Sequence, residues 1–301
     1  DFWIGEGVKI FRVDNPHTKP YAFWEWLIAE VRRAHPEVFF LSEAFTRPKV
    51  MYRLTKLGFA QSYTYFAWRN SAREIREYFT ELTRTQAREY FRPNLWPNTP
   101  DILTEHLQAG GRPAFAARAV LAATLGASWG IYGPAFELGA NVAVAPGKEE
   151  YLDSEKYQIR SWNLDDPASL RPLIALLNRI RRENPALQSD RGLRFHTTTD
   201  EHLLAYSKSS QGPEGQAGEN TILAVVNLDP HHAHSGMVEL PLAEMGLDPA
   251  HPWQMHDLLG GARYLWQGAR NYVHLDPRSA PAHVFRLRRR LRTERDFDYY
   301  L

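Results

Sequence analysis

Two carboxylates each close a short apolar run: Asp14 follows Lys9-Ile10-Phe11-Arg12-Val13, and Glu43 follows Phe39-Phe40-Leu41-Ser42. A third acid, Asp101, lies in Asn98-Thr99-Pro100-Asp101, just after the run Tyr90–Leu95. In parallel α/β barrels the C-terminal ends of strands carry the reactive groups. Taken singly, each acid reads as a turn or cap residue. Three of them at strand ends are harder to dismiss. Arg12 precedes Asp14 by two residues and on a strand points to the same side. A guanidinium there is expected to keep Asp14 ionised. Glu43 ends an apolar run, and apolar surroundings would let it hold a proton for donation. One ionised and one protonated carboxyl group about 5 Å apart is what retaining glycoside chemistry requires.

Other chemistries find little support. The chain has no cysteine, which excludes disulfides, thiolate nucleophiles and Cys-ligated metals and fits a reducing compartment. No Gly-x-Ser-x-Gly elbow is present for acyl transfer. His17 and the other histidines show no metal-ligand spacing, and His231-His232 with His234 reads as a turn, so no metal is expected. The formal net charge of +1 over 301 residues argues against a nucleic-acid binder. No apolar run is long enough for a membrane-spanning helix. Aromatic residues reach 13%, nine of them Trp. Sugar faces stack on such rings, but a large aromatic core explains the figure equally well.

The elements that would position these residues alternate. Val8–Val13, Val38–Leu41, Gln61–Tyr65, Tyr90–Leu95 and Ser128–Tyr132 read as strands. Helices are expected at Ala22–Ala34, Pro48–Leu57, Ser71–Leu82, Arg112–Leu125 and Pro172–Glu183. Ser71 and Glu74 stand at the capping-box spacing. Alternation of this kind means a parallel sheet with crossover helices. The expected class is α/β, with residues 1–188 forming part of a (β/α)8 barrel. An open doubly wound sheet is the competitor, but no Gly-rich phosphate loop appears. The chain opens on Asp1, and its first seven residues resemble the end of a helix, so further strands are expected upstream. Residues 189–301 change character. Leu203–Ser207, Thr221–Leu228, Met237–Leu242, Trp253–Leu258, Tyr272–Leu275 and His283–Leu287 read as strands of an all-β sandwich. Ser209–Asn220 reads as a surface loop and Arg286–Arg295 as a solvated basic tail.

Several strings carry a family resemblance. Phe11-Arg12-Val13-Asp14-Asn15, Ser42-Glu43-Ala44-Phe45 and Asn98-Thr99-Pro100-Asp101 resemble the strand-four, strand-five and strand-seven motifs of the α-amylase superfamily, glycoside hydrolase family thirteen. The longer strings Phe11–Pro20, Glu43–Pro48, Gln61–Phe66, Tyr132–Leu138 and Glu149–Tyr157 look like its branch of maltosyltransferases that use α-maltose 1-phosphate. Most α-amylases place His before the third acid; here Pro100 stands there, as in that branch. The resemblance runs from Val8 to about Arg286. It implies barrel strands four to eight, and transfer of maltosyl units from α-maltose 1-phosphate to the non-reducing end of an α-1,4-glucan with release of phosphate. It further implies Asp14 as nucleophile, Glu43 as acid/base and Asp101 as the acid that binds hydroxyls of the distorted sugar. Arg12 would orient Asp14, Asn15 would reach the donor phosphate, and Lys156 with Tyr157 would bind the second glucose. No cofactor is implied. A homodimer and a cytoplasmic glucan pathway would follow from the same resemblance. An α-glucan hydrolase of the same superfamily, or an inactive glucan-binding fragment, is the alternative. Without the first three barrel strands the isolated chain is expected to be unstable or inactive.

Overall fold

The computed structural model describes residues 1–211 and 217–288. In chain order the first half runs α1 (Phe2–Gly5), β1 (Ile10–Asp14), α2 (Tyr21–Ala34), β2 (Phe39–Glu43), α3 (Pro48–Lys56), β3 (Gln61–Tyr63), α4 (Ala72–Arg84), α5 (Ala87–Tyr90), β4 (Pro93–Leu95), α6 (Glu105–Leu125), β5 (Ser128–Trp129), α7 (Gly133–Glu137) and α8 (Arg171–Glu183). The five strands pair in sequence order, all parallel. Parallel neighbours require crossovers, and the intervening helices supply them. The fourth and fifth strands are shorter than the sequence pattern implies. Ala87–Tyr90 turns helical, and pairing at β5 ends at Trp129.

The helices start where the sequence says they should. Ser71 caps α4, its hydroxyl accepting from the Glu74 N–H while Glu74 accepts from the Ser71 N–H. Pro48 opens α3 at a position where no N–H is needed. α6 is two helices in one span. Gly111 interrupts it at φ 52°, ψ −150°, a conformation that L side chains rarely adopt, and the helix expected from Arg112 is its second part.

Phe11 and Val13 of β1 pack outward against Trp24 and Ile28 of α2, with Phe40, Leu54 and Phe59. The opposite, concave face carries Ile10, Arg12 and Asp14 in register with Phe39, Leu41 and Glu43. At the N-terminal end of this face lies a cleft of about 760 Å³ lined by Ile10, Phe39, Leu41, Gln61, Asn94 and Trp129. Ile10 and Phe39 remain exposed there, as do Tyr21, Phe23 and Trp26 along α2. Among the described residues β1 has one strand neighbour, so its other edge is open.

The second half holds eight antiparallel strands and a short helix. They are β6 (Arg194–Thr198), β7 (Leu203–Gln211), β8 (Ala217–Asn227), β9 (His234–Glu239), α9 (Leu242–Met245), β10 (Trp253–Asp257), β11 (Arg263–Trp266), β12 (Arg270–Leu275) and β13 (Ala282–Arg288). The spatial order is β11-β10-β13-β8-β7-β6-β9-β12. β6 belongs to both layers: Arg194–His196 pair with β7, whereas Thr197 and Thr198 pair with β9. The sandwich is therefore one sheet folded over at β6, around Leu203, Leu223, Val238, Trp253 and Phe285. Three expectations need correction. β6 and β11 were not expected as strands. The strand expected at Met237–Leu242 ends at Glu239, and Leu242 begins α9. Of the loop expected at Ser209–Asn220, both described ends are strand, because β7 runs on to Gln211 and β8 begins at Ala217, and residues 212–216 lie outside the described residues. The basic tail lies outside the described residues from position 289 onward.

One apolar cluster joins both halves, from Phe79 and Leu121 through Ile180 to Tyr206, Ala224 and Val284. Within it Thr124 and Tyr206 share a buried hydroxyl hydrogen bond of 2.5 Å.

Candidate active site

Parallel register does most of the assembly. Asp14 and Glu43 are direct partners at the ends of β1 and β2, which sets their backbones one strand spacing apart, about 4.8 Å. The ladder continues one step further, the Asn15 N–H donating to the Glu43 carbonyl at 3.0 Å. Asn15 then turns left-handed at φ 46°, a conformation Asn tolerates better than most residues. The turn at Pro16–Thr18 is fastened from two sides. Trp24 Nε1 donates to the Pro16 carbonyl at 2.7 Å, and Thr18 Oγ1 to the Asn15 carbonyl at 2.8 Å.

Arg12 does not behave as its spacing implies. Its guanidinium crosses to the next strand and forms an ion pair with Glu43 Oε2. Among the described residues no side-chain hydrogen bond reaches Asp14. The reason is geometric. Glu43 turns into the sheet and is only 5% exposed, whereas Asp14 at the outer edge of β1 faces solvent. A carboxylate in an ion pair cannot at the same time hold the proton that a general acid donates. The apolar setting expected for Glu43 is thus a buried but charged one. Glu43 Oε1 is buried without a partner.

The next layer was not singled out from sequence. Arg12 also lies over the Tyr63 ring at 5.9 Å, and Tyr63 stacks on Trp96 with centroids 4.8 Å apart. Burial raises the Tyr63 phenol above its usual range, partly offset by the nearby Arg12 charge. Gly130 leaves room for this stack: a Cβ there would stand 2.4 Å from the Trp96 ring. Below it, Asn94 donates to Gln61 at 2.9 Å and Gln61 to Ser128 at 2.9 Å, a polar belt linking three strands. Replacing Tyr63 by Ala removes both the stack and the ring under Arg12. A loss of about 3–5 kcal/mol is expected from the cavity. Tyr63→Phe keeps the ring and should stay within about 1.5 kcal/mol of the parent. Urea unfolding of both variants measures this.

Asp101 sits after β4 in a separate group. Lys156 forms an ion pair with it, and Glu150 lies 4.0 Å from the same ammonium. The hydrogen bond to Asp101 raises the Lys156 pKa. The ammonium stands 5.3 Å from the Tyr157 ring, and Tyr157 is 73% exposed. Asp101, Lys156 and Tyr157 therefore meet, as do Asp14, Glu43, Arg12 and Asn15. Among the described residues no hydrogen bond or ion pair joins the two groups. The loop bearing Asp101 is anchored at Asn98, which donates to Tyr151 Oη at 2.7 Å and accepts from the Tyr132 N–H at 2.9 Å. Tyr132 in turn donates to Glu155 at 2.5 Å, and its phenol is pushed up to about 12 by desolvation and then by that carboxylate. Past the ends of β2 and β3, Phe45, Tyr65 and Trp68 form an aromatic cluster, with Phe45 and Trp68 edge to face at 4.9 Å. Trp68 Nε1 donates to Glu149 at 2.8 Å, tying this cluster to the loop that carries Lys156.

The family model described as GLGE, C-terminal, matches residues 195–287. The chain is 53% identical over 292 residues to the alpha-1,4-glucan:maltose-1-phosphate maltosyltransferase of Chlorobaculum tepidum, covering 95% of this chain and 43% of that protein. The protein of the same name from Salinibacter ruber is 52% identical over 287 residues, covering 95% of this chain and 42% of the relative. The chain thus spans less than half the length of the curated relatives it matches. Among solved structures it resembles an Anoxybacillus alpha-amylase, with TM-score 0.71, 15% identity and coverage of 95% of this chain and 60% of that one. It also resembles the Geobacillus thermoleovorans alpha-amylase complexed with acarbose, with TM-score 0.66, 16% identity and coverage of 95% and 62%. At such identities the likeness concerns the fold alone. By sequence the chain is a homologue of the alpha-1,4-glucan:maltose-1-phosphate maltosyltransferases, spanning about two fifths of their length on an α-amylase-type fold.

Proposed function

We propose that this chain carries the catalytic carboxylates of a retaining maltosyltransferase that uses α-maltose 1-phosphate as donor and the non-reducing end of an α-1,4-glucan as acceptor. The observation that carries the reading is the pairing of Asp14 with Glu43 at the ends of adjacent parallel strands, in a chain half-identical to proteins of that name. In the first step Asp14 attacks C1 of the donor. The C1–O bond to phosphate breaks as Glu43 gives its proton to the leaving oxygen. In the second step the Glu43 carboxylate takes the proton of the acceptor 4-hydroxyl, whose oxygen attacks C1 as the bond to Asp14 breaks. Two inversions leave the α linkage unchanged. The Arg12–Glu43 ion pair opens before the first step: Glu43 takes up a proton from solvent, and Arg12 turns to Asp14 on its own strand. Asp101 and Lys156, paired with each other in this structure, exchange that contact for sugar hydroxyls, and Asn15 meets the phosphate. The full-length protein incubated with α-maltose 1-phosphate and glycogen should release phosphate in step with chain extension. Release of free maltose without extension would instead identify a hydrolase.

A further inference from the structure

Two turns of the β-sandwich bring four histidines and two aspartates together, far along the chain from the carboxylates of β1 and β2. One turn joins β6 to β7 and carries Asp200 and His202. The other joins β8 to β9 and carries Asp229, His231 and His232, with His234 opening β9. The turns are neighbours because Thr198 pairs with Val238 across β6 and β9. Donor atoms of His202, Asp229 and His234 all lie within 4.8 Å of one another.

The surrounding hydrogen bonds fix the orientation of Asp229 and His234. Asp200 Oδ1 accepts from the His202 N–H at 2.8 Å, and Oδ2 accepts from His234 Nδ1 at 2.9 Å. Asp229 is organised the same way. Oδ1 accepts from the His231 N–H at 2.7 Å, which leaves Oδ2 to face His234 Nε2 at 3.2 Å and His232 Nδ1 at 2.9 Å. With Nδ1–H given to Asp200, neutral His234 presents a lone pair at Nε2. That lone pair faces a carboxylate oxygen. Two acceptors at this distance need a positive centre between them, either a proton on Nε2 or a metal ion in its place. A carboxylate behind a histidine, fixing its tautomer and aiming the other nitrogen, is the usual support of a metal-ligating imidazole. The Asp229 turn is also held against the barrel half, since a Cβ at Gly110 of α6 would stand 2.7 Å from Pro230.

We propose that His202, Asp229 and His234 bind a divalent transition metal, with Zn²⁺ as the ion the donor set fits. Two imidazoles and one carboxylate favour zinc over magnesium or calcium, which take oxygen ligands. Asp200 is the positioning residue behind His234; His232 meets Asp229 Oδ2 at 2.9 Å and stands outside the three donors that lie within 4.8 Å of one another. Zn–N and Zn–O bonds of about 2.0–2.2 Å hold tetrahedral donors roughly 3.4 Å apart. Closure therefore needs a small rotation of His202, which is exposed and free to make it. A bound ion would staple the β6–β7 turn to the β8–β9 turn, and through Pro230 to α6.

The test is titration of the purified protein with Zn²⁺ alone, followed by calorimetry and by elemental analysis after gel filtration. One ion per chain is expected, with a melting temperature that rises with Zn²⁺ and falls back on adding a chelator. His202→Ala and His234→Ala should each weaken binding at least about tenfold, and Asp200→Asn by about 10–100-fold. The metal-free melting temperature of His202→Ala, whose side chain is exposed, should match the parent, which separates lost ligation from lost folding. Absence of saturable binding would overturn the proposal. So would an affinity unchanged in both histidine variants, which would place the ion elsewhere.

Discussion

Glu43→Gln is expected to slow maltosyl transfer by about 10²–10⁴-fold, the range that a positioned general acid/base supplies. Asp14→Ala is expected to cost more, because no covalent intermediate can then form. The two variants differ in a way that loss of folding would not mimic. A maltosyl donor whose leaving group departs without a proton does not need Glu43 in the first step. With such a donor Glu43→Gln should still load the enzyme, and the maltosyl group should accumulate as an ester on Asp14, visible as added mass on the intact chain. Asp14→Ala should show no adduct with any donor. Turnover that survived in either variant with α-maltose 1-phosphate would refute the assigned roles. The glutamine variant also removes the carboxylate that holds Arg12 in this structure. Its guanidinium, which also lies over the Tyr63 ring, is then released, so the kinetic loss should be compared with that of Arg12→Ala. If the two losses are equal, Glu43 acts mainly through placing Arg12 rather than through proton transfer.

How far the sequence reached depends on what kind of signal each feature carried. β1 and β2 were legible because short apolar runs between helices have few other readings, and their ends located Asp14 and Glu43. The partner of Arg12 was not legible. A two-residue spacing fixes a face of one strand, whereas cross-strand register decides which neighbour a long side chain meets. Tyr63 and Trp96 stack across 33 positions of chain with no local pattern to announce it. β11 escaped because it is an edge strand with Arg263, Tyr264 and Leu265 all exposed, so no alternation is written into it. β6 escaped because the residue it buries is His196, not an apolar one. That imidazole is satisfied by Ser207 at 2.8 Å, and burial pushes its pKa down to about 4. The Gly- and Ser-rich stretch after Ser207 reads as loop by composition, yet pairing between β7 and β8 carries Ser209–Gln211 and Ala217–Asn220 into strand. His202 could not be joined to His234 from spacing alone, since the fold over β6 is what makes their turns adjacent.

Asp190→Ala is expected to destabilise the protein by about 3–5 kcal/mol, the cost of leaving a buried charge without its partner. Lys208 on β7 is 1% exposed, with Nζ 3.4 Å from Asp190 and 3.1 Å from the Leu125 carbonyl at the end of α6. Arg181 of α8 stands on the same junction, donating to the carbonyls of Ala123, Gly126 and Ala127. Asp190 therefore pairs with buried Lys208 where the barrel half meets the sandwich, while half-buried Arg181 is satisfied by those carbonyls. Burial is the main cause that lowers the Lys208 pKa, to about 8, with Asp190 opposing it. The sign follows from proton counts. Between about pH 8 and the ordinary lysine range near 10.5, the unfolded chain holds a proton on this lysine that the folded chain has released. Stability of the parent therefore rises with pH across that window. Without Asp190 the folded-state pKa of Lys208 falls further, and the rise begins at lower pH. The difference between variant and parent should be largest near about pH 7 and shrink above about pH 9, where Lys208 is neutral in both folded states. Urea unfolding at the two pH values measures it. A difference that stayed constant with pH would assign the loss to packing instead. Lys208→Met combined with Asp190→Leu removes both charges, and its stability should return to the parent level or above it by about 1–4 kcal/mol. That recovery would show that the junction is held by its apolar cluster, with the ion pair serving to satisfy charges already buried there.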